Sequence, residues 1–228
     1  MDALLPRHSV IVRQVAPVRA EQIPALTDLL SRAFFHDPLM QYFEPEPGRR
    51  AAISRILYGT VLRYTMKYGR ADMSVDGNGV ACWLMPSHSK IALSRIVRSG
   101  FWKMGISASL STLAKFRAYE KASNQLRAMV CDKPSWFLWA LGVDAGNRRQ
   151  GISKHLFRTV TDRTDRAGEP VYVESANPNT IALLQHGGFS VVQKLALSEQ
   201  LILHGLLRVP GSATPAKVAR RVEAASVI

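Results

Sequence analysis

The segment Leu141-Gly-Val-Asp-Ala-Gly-Asn-Arg-Arg-Gln-Gly-Ile-Ser153 joins an apolar run to an amphipathic stretch through a polar, doubly basic loop. The run Trp136–Val143 has the length of a buried strand, and Gly151–Arg166 carries apolar residues at helical spacing. A strand, a loop and a helix start therefore follow one another. The first amides of a helix have no intrahelical partner and stand at the positive end of its dipole. Such an end binds phosphate groups. Gly151 lets the backbone approach a ligand closely, and Arg148 and Arg149 add positive charge. These residue types in this order form a pyrophosphate cradle. Two other cradles are excluded, because neither a GxxxxGK[ST] loop nor a GxGxxG in a first βα turn is present.

The elements that must position this loop can be read from hydrophobic spacing. His8–Val15 reads as a first strand, and Glu21–Phe35 as a helix stopped by Asp37-Pro38. Arg49–Lys67 is a second helix. Ala71–Val75 and Val80–Met85 form a hairpin around Asp76-Gly77-Asn78-Gly79. Lys90–Ala128 is expected to be a helical insertion broken near Gly100–Gly105. After Trp136–Val143 the chain alternates: helix Gly151–Arg166, strand Val171–Ser175, helix Asn179–His186, strand Phe189–Leu197 and a last strand Leu201–Val209. This order predicts a mixed α/β fold with a partly parallel sheet of about six to seven strands flanked by helices. Residues 1–209 are expected to form one domain, followed by a tail over residues 210–228.

With 228 residues, 47% hydrophobic and 21% charged, the chain can bury a sizeable core. No apolar run approaches the ~20 residues of a membrane span, and the N-terminal stretch lacks a signal pattern. A cytoplasmic location and no membrane partner are expected. Cys82 and Cys131 lack metal-ligand spacing, so two packed thiols and no metal are expected. The net charge of +13 favours a polyanionic partner. No dense basic block or basic–aromatic signature is present, so a nucleic acid is not the partner expected.

The stretch Val143–Ser153 resembles the cofactor motif of the GNAT acyltransferases, V-x-P-x-x-(Q/R)-x-x-G-x-(G/A), with Arg148, Gly151 and Ser153 at the marked positions. A second signature, E-x-s-N-x-x-x-x-x-l-Y-x-x-x-G-F, is similar to Glu174–Phe189. The stretches Phe34–Phe43, Gly79–Ser87 and Trp136–Val143 resemble the branch that includes puromycin N-acetyltransferase. The likeness spans roughly residues 8–200. Ala145 replaces the motif's proline, Arg149 fills a position often held by glycine, and Leu184 stands where the family has its tyrosine acid.

The resemblance implies acetyl-CoA as cofactor and direct acetyl transfer to an amine of a small molecule. It also implies that the strand ending at Val143 and the strand Val171–Ser175 splay apart around the pantetheine. Backbone groups of Leu141, Gly142 and Val143 would hold that arm and polarise the thioester carbonyl. The pyrophosphate would meet Arg148, Arg149, Gln150, Gly151, Ile152 and Ser153, while Asn177 would touch the arm or fix its loop. An amine of pKa ~10.4 is neutral only about once in 10³ at pH 7, so a base is needed. Glu174, closing an apolar strand, is the candidate, with a structural ion pair to an arginine as the other reading. His186 reads as a helix C-terminal cap. His36 and Asp37 either touch substrate or mark a helix stop. With Leu184 in the acid position, Tyr172 or water would protonate the leaving thiolate. Leu184 also motivates a second expectation, a non-catalytic acyl-CoA sensor. The fold often forms dimers, which makes a homodimer an open expectation.

Overall fold

The computed structural model describes residues 14–89, 91–131 and 133–210. Seven strands form one sheet: β1 Val15–Pro17, β2 Gly69–Ser74, β3 Gly79–Leu84, β4 Trp136–Val143, β5 Val171–Ser175, β6 Ser190–Ser198 and β7 Leu201–Arg208. Their spatial order is β1-β2-β3-β4-β5-β7-β6. Only the β4–β5 pair is parallel, as a strand–helix–strand crossover requires; the other pairs are antiparallel. Of the first strand expected at His8–Val15, residues 8–13 lie outside the described residues. The described strand begins at Val15 and runs on to Pro17. The tail over residues 211–228 is also outside them.

Helices cover both faces of the sheet. On one face lie α1 Ile23–Ala33, α2 Pro38–Phe43, α3 Pro47–Tyr68 and the insertion. They pack on Met73, Val80, Cys82 and Ala140. On the other face α7 Ile152–Ala167 and α8 Pro178–His186 cover Ala81, Trp83, Leu138 and Val173. Alternation along β3 separates these two sets, and on β4 an extra residue, Trp139, puts Leu138 and Ala140 on opposite faces. α1 ends at Ala33, short of the stop expected at Asp37-Pro38, and Pro38 instead opens α2: Asp37 caps the new helix by accepting from the Leu39 amide at 3.0 Å.

The insertion comprises α4 Leu93–Ile96, a π-type turn Val97–Phe101, α5 Trp102–Ser107 and α6 Leu110–Val130. The break expected at Gly100–Gly105 falls at Gly100, whose φ is 115°. A Cβ there would stand 2.7 Å from the Arg63 side chain, so both the turn and the close approach require glycine. Ser109 then caps α6 through the Thr112 amide.

Candidate active site

β4 leads into the basic loop and the loop into α7. Asp144 accepts from the Gly146 amide and turns the chain through Ala145–Asn147. Arg149 then adopts φ 61° and Gly151 φ 80°. The first value gives a physical reason for glycine at the Arg149 position, because a β-carbon in the left-handed region is strained. Gly151 is the N-cap of the 16-residue α7 and supplies no side-chain cap, which leaves that end open for a ligand. A Cβ at Gly151 would meet nothing within 4 Å, so open space lies above the helix start. Ser153 is half-buried, whereas Arg149 and Gln150 are exposed. Ile152 is buried beneath Gly79, so only its backbone is offered to a ligand.

The end of α1 is drawn to this loop. The Arg148 guanidinium donates to the Ala33 carbonyl at 3.4 Å, and Arg32 pairs with Asp144 at 3.3 Å. Gly142 permits this approach, since a Cβ there would stand 2.6 Å from the Leu30 side chain.

Between β4 and β5 the sheet opens. Their register runs Trp136↔Val171, Phe137↔Tyr172 and Leu138↔Val173 and then stops. Beyond it β4 pairs only with β3, and Glu174 and Ser175 pair only with β7. The Asp144 amide donates to the Asn78 carbonyl, toward β3. By strand alternation Gly142 also faces β3, while the backbone groups of Leu141 and Val143 turn toward the gap. The β3–β4 register shifts between Cys82↔Ala140 and Trp83↔Leu138, which makes Trp139 a bulge at the mouth of the opening.

The gap opens into a cavity of about 570 Å³ bounded by α2, α3, α6, β4, β5 and α8. Glu174 lies in its wall with its side chain 2% exposed. The carboxylate accepts from Ser123 Oγ at 2.8 Å and Tyr119 Oη at 3.2 Å, and Arg127 stands 3.7 Å away. Arg127 also donates to the Ser89 carbonyl and lies 4.2 Å from the centre of the Phe137 ring. The ion pair expected of a structural carboxylate is thus present in a group that also lines the cavity. Sequence reasoning did not find the trio Tyr119, Ser123 and Arg127. Its signal was available as polar residues spaced by four on an insertion helix, one stripe of one face.

Asp37 lines the same cavity, whereas His36 lines a separate depression between α1 and α3. Asp37 accepts from Asn177 Nδ2 at 3.2 Å, and burial pushes its carboxyl above the ordinary range, against the lowering pull of its hydrogen bonds. Asn177 caps α8 through the Asn179 amide, so its side chain fixes both loops. His186 Nδ1 meets the Ala182 carbonyl at 2.7 Å, in keeping with a role at the end of α8. Leu184 is buried in the cavity wall and brings no proton there.

The expectation that Tyr172 protonates the thiolate is corrected. Tyr172 is fully buried, lies outside the cavity lining and packs its hydroxyl against Gly205. Burial raises its phenol far above the ordinary value. Its register opposite Phe137 turns the ring into the core beside Tyr64 and Leu84. Cys82 and Cys131 are not joined in a disulfide; Ser135 Oγ donates to Cys131 Sγ at 3.3 Å, and burial pushes Cys82 up to about 12. Among the described residues there is no group of His, Cys, Asp and Glu able to hold a metal, and no helix long and apolar enough to cross a membrane.

No protein-family model matches the chain. A Schizosaccharomyces pombe protein named as an uncharacterized N-acetyltransferase is 23% identical over 223 residues, covering 91% of this chain and 88% of that protein. A Corynebacterium glutamicum structure, described as a histone acetyltransferase HPA2 and related acetyltransferase, superposes with a TM-score of 0.60 at 19% identity. It covers 89% of this chain and 98% of its own. The arylalkylamine N-acetyltransferase 2 of Aedes aegypti gives 0.55 at 16% identity, over 86% of this chain and 98% of its own. The folds agree across nearly the whole of these neighbours.

Proposed function

We propose that this chain, which shares the fold of known acetyltransferases, moves the acetyl group of acetyl-CoA to a primary amine of a small molecule. Attack is direct, in a ternary complex. The observation that carries this reading is the gap between β4 and β5, which leads from the open start of α7 to the cavity holding Glu174.

Acetyl-CoA supplies the activated acyl group. The amides of Arg149, Gln150, Gly151, Ile152 and Ser153, with the Arg148 and Arg149 guanidiniums, hold its pyrophosphate; the open space above Gly151 fits such a group. Backbone groups of Leu141 and Val143 pair with the pantetheine arm and polarise the thioester carbonyl. Gly142 brings α1 against that strand, and Asn177 fixes the loop beyond β5. Glu174 takes the proton from the acceptor ammonium, and Tyr119, Ser123 and Arg127 hold its carboxylate in place. The amine nitrogen bonds to the acetyl carbon, the carbon–sulfur bond breaks, and the thiolate takes a proton from water. A positioned acid is worth ~10²–10⁴ in rate. A thiol of pKa ~8.5 is a tolerable leaving group without one. Leu184 therefore makes the transferase slow without making it inert.

A second reading, a non-catalytic acyl-CoA sensor, is favoured by two observations: Leu184 in the wall and the ion pair between Glu174 and Arg127. Calorimetric titration with acetyl-CoA, comparing the native protein with Gly151→Trp, tests the cofactor site. Micromolar binding that disappears in the variant is expected. Thiol release with a panel of amines then separates transferase from sensor. Failure of the native protein to bind acetyl-CoA overturns both readings.

A further inference from the structure

Three carboxylates line the cavity: Glu120 is exposed, and the two less exposed ones, Glu174 and Asp37, differ in their surroundings. Glu174 is balanced by Arg127 and satisfied by two hydroxyls. Asp37, half-buried, accepts from the Leu39 and Met40 amides and from the Asn177 carboxamide, and has no ion-pair partner among the described residues. A buried carboxylate without a countercharge is costly, and a ligand that brings the missing cation removes the cost. The group that fits is a compact donor of several hydrogen bonds, an ammonium.

Much of the rest of the wall is apolar, and its aromatic rings, set among aliphatic side chains such as Met40, Leu57, Val61 and Leu113, pair with one another. Phe34 stacks on Tyr58 with centroids 5.0 Å apart, and Phe43 stacks on Phe116 at 4.0 Å. Phe101 meets Phe116 edge-on, and the bulge turns Trp139 into the same space. An aromatic or bulky apolar body gains by leaving water for such a wall, whereas a slender polycation would leave it unfilled. Asp37, Phe34 and Tyr58 line the same cavity, and the Asp37 amide donates to the Phe34 carbonyl at 2.9 Å, so the anion and the rings belong to one site.

We infer that the acceptor is a primary amine carried on an aromatic body, its ring seated among Phe34, Tyr58, Phe43 and Phe116 and its ammonium docked on Asp37. This rests on the transferase reading above and names the substrate class of that site. Asp37 is on this view the specificity-determining residue.

The test uses Asp37→Asn, because asparagine caps a helix about as well as aspartate and keeps α2 in place while removing the charge. Phenylethylamine and putrescine are titrated calorimetrically into the native protein and the variant, each saturated with CoA, and turnover of both amines is read by thiol release. Phenylethylamine is expected to bind at least tenfold tighter than putrescine. Asp37→Asn is expected to weaken it about thirtyfold or more, as losing one partner of a buried charged pair does, and to raise KM more than it lowers kcat. Unchanged acetyl-CoA affinity in the variant would place the effect at the acceptor. Putrescine binding as well as phenylethylamine, or equal affinity in the variant, overturns the inference and leaves the transferase reading standing. Octanoyl-CoA binding far tighter than acetyl-CoA and excluding phenylethylamine would give the cavity to an acyl chain and overturn it too. Failure of acetyl-CoA itself to bind sinks the underlying reading, a separate outcome.

Discussion

The proposed phosphate end and the proposed acceptor end of this molecule share β4 but are built in opposite ways. At the open start of α7 the groups offered to a ligand are mostly backbone amides, fixed by Gly151 at φ 80° within one short loop. In the cavity beyond the gap they are side chains, drawn from α2, α3, α6, β4, β5, α8 and the turn before α2. Glu174 and Tyr119 are 55 residues apart, and Asp37 and Asn177 are 140 apart. A local backbone device tolerates almost any side chain around it. A side-chain device depends on each residue that meets there, so it is the end at which specificity is set.

Substitutions at one end should leave the other intact, and each measurement below can break that separation. The largest effect is expected from Glu174→Gln, which keeps the shape of the side chain but removes the base. It should lower kcat by ~10²–10⁴ while leaving acetyl-CoA affinity unchanged. A loss of affinity of the same size would show that the two ends are coupled through β5. Leu184→Tyr should restore a hydroxyl at the wall of the cavity and raise kcat by about tenfold, at the low end of what a positioned acid gives. An unchanged kcat alongside normal acceptor binding would mean that thiolate departure does not limit the rate. The smallest effect belongs to the phosphate end. Arg149→Gly relieves a left-handed residue and should raise stability by about 1 kcal/mol, read as a higher Tm. It also removes a cation, so acetyl-CoA affinity should fall severalfold, and acceptor KM should not move.

The same contrast explains what the sequence revealed. β4 and β5 were legible to the residue, because an apolar run of strand length next to a glycine-marked helix start is a local pattern. The loop that leads into α7 was legible for the same reason. Even the departure at Arg149 had a readable meaning, since the position asks for a left-handed backbone. Glu174 stood out as a charge at the end of an apolar strand. Its partners did not, because nothing local tells Tyr119, Ser123 and Arg127 that β5 will lie across them. Tyr172 misled for a related reason. Its two-residue spacing from Glu174 gave the correct face of the sheet, but the depth at which its hydroxyl is buried under Gly205 depends on β7, which pairs from the far side. Asp37 reads as a helix stop or a substrate contact; the cap it gives α2 is local, but its bond to Asn177, 140 residues on, is not.

The hydrogen bond from Asn177 to Asp37 also bears on the order in which the molecule assembles. It ties together two helix starts separated by most of the chain, and closing so long a loop is entropically expensive until the sheet between them exists. The phosphate loop can take shape as soon as β4 and α7 have paired with the hairpin before them. The rim of the acceptor cavity must wait for β5 and α8. During refolding, competence to bind acetyl-CoA should therefore appear before competence to bind an amine.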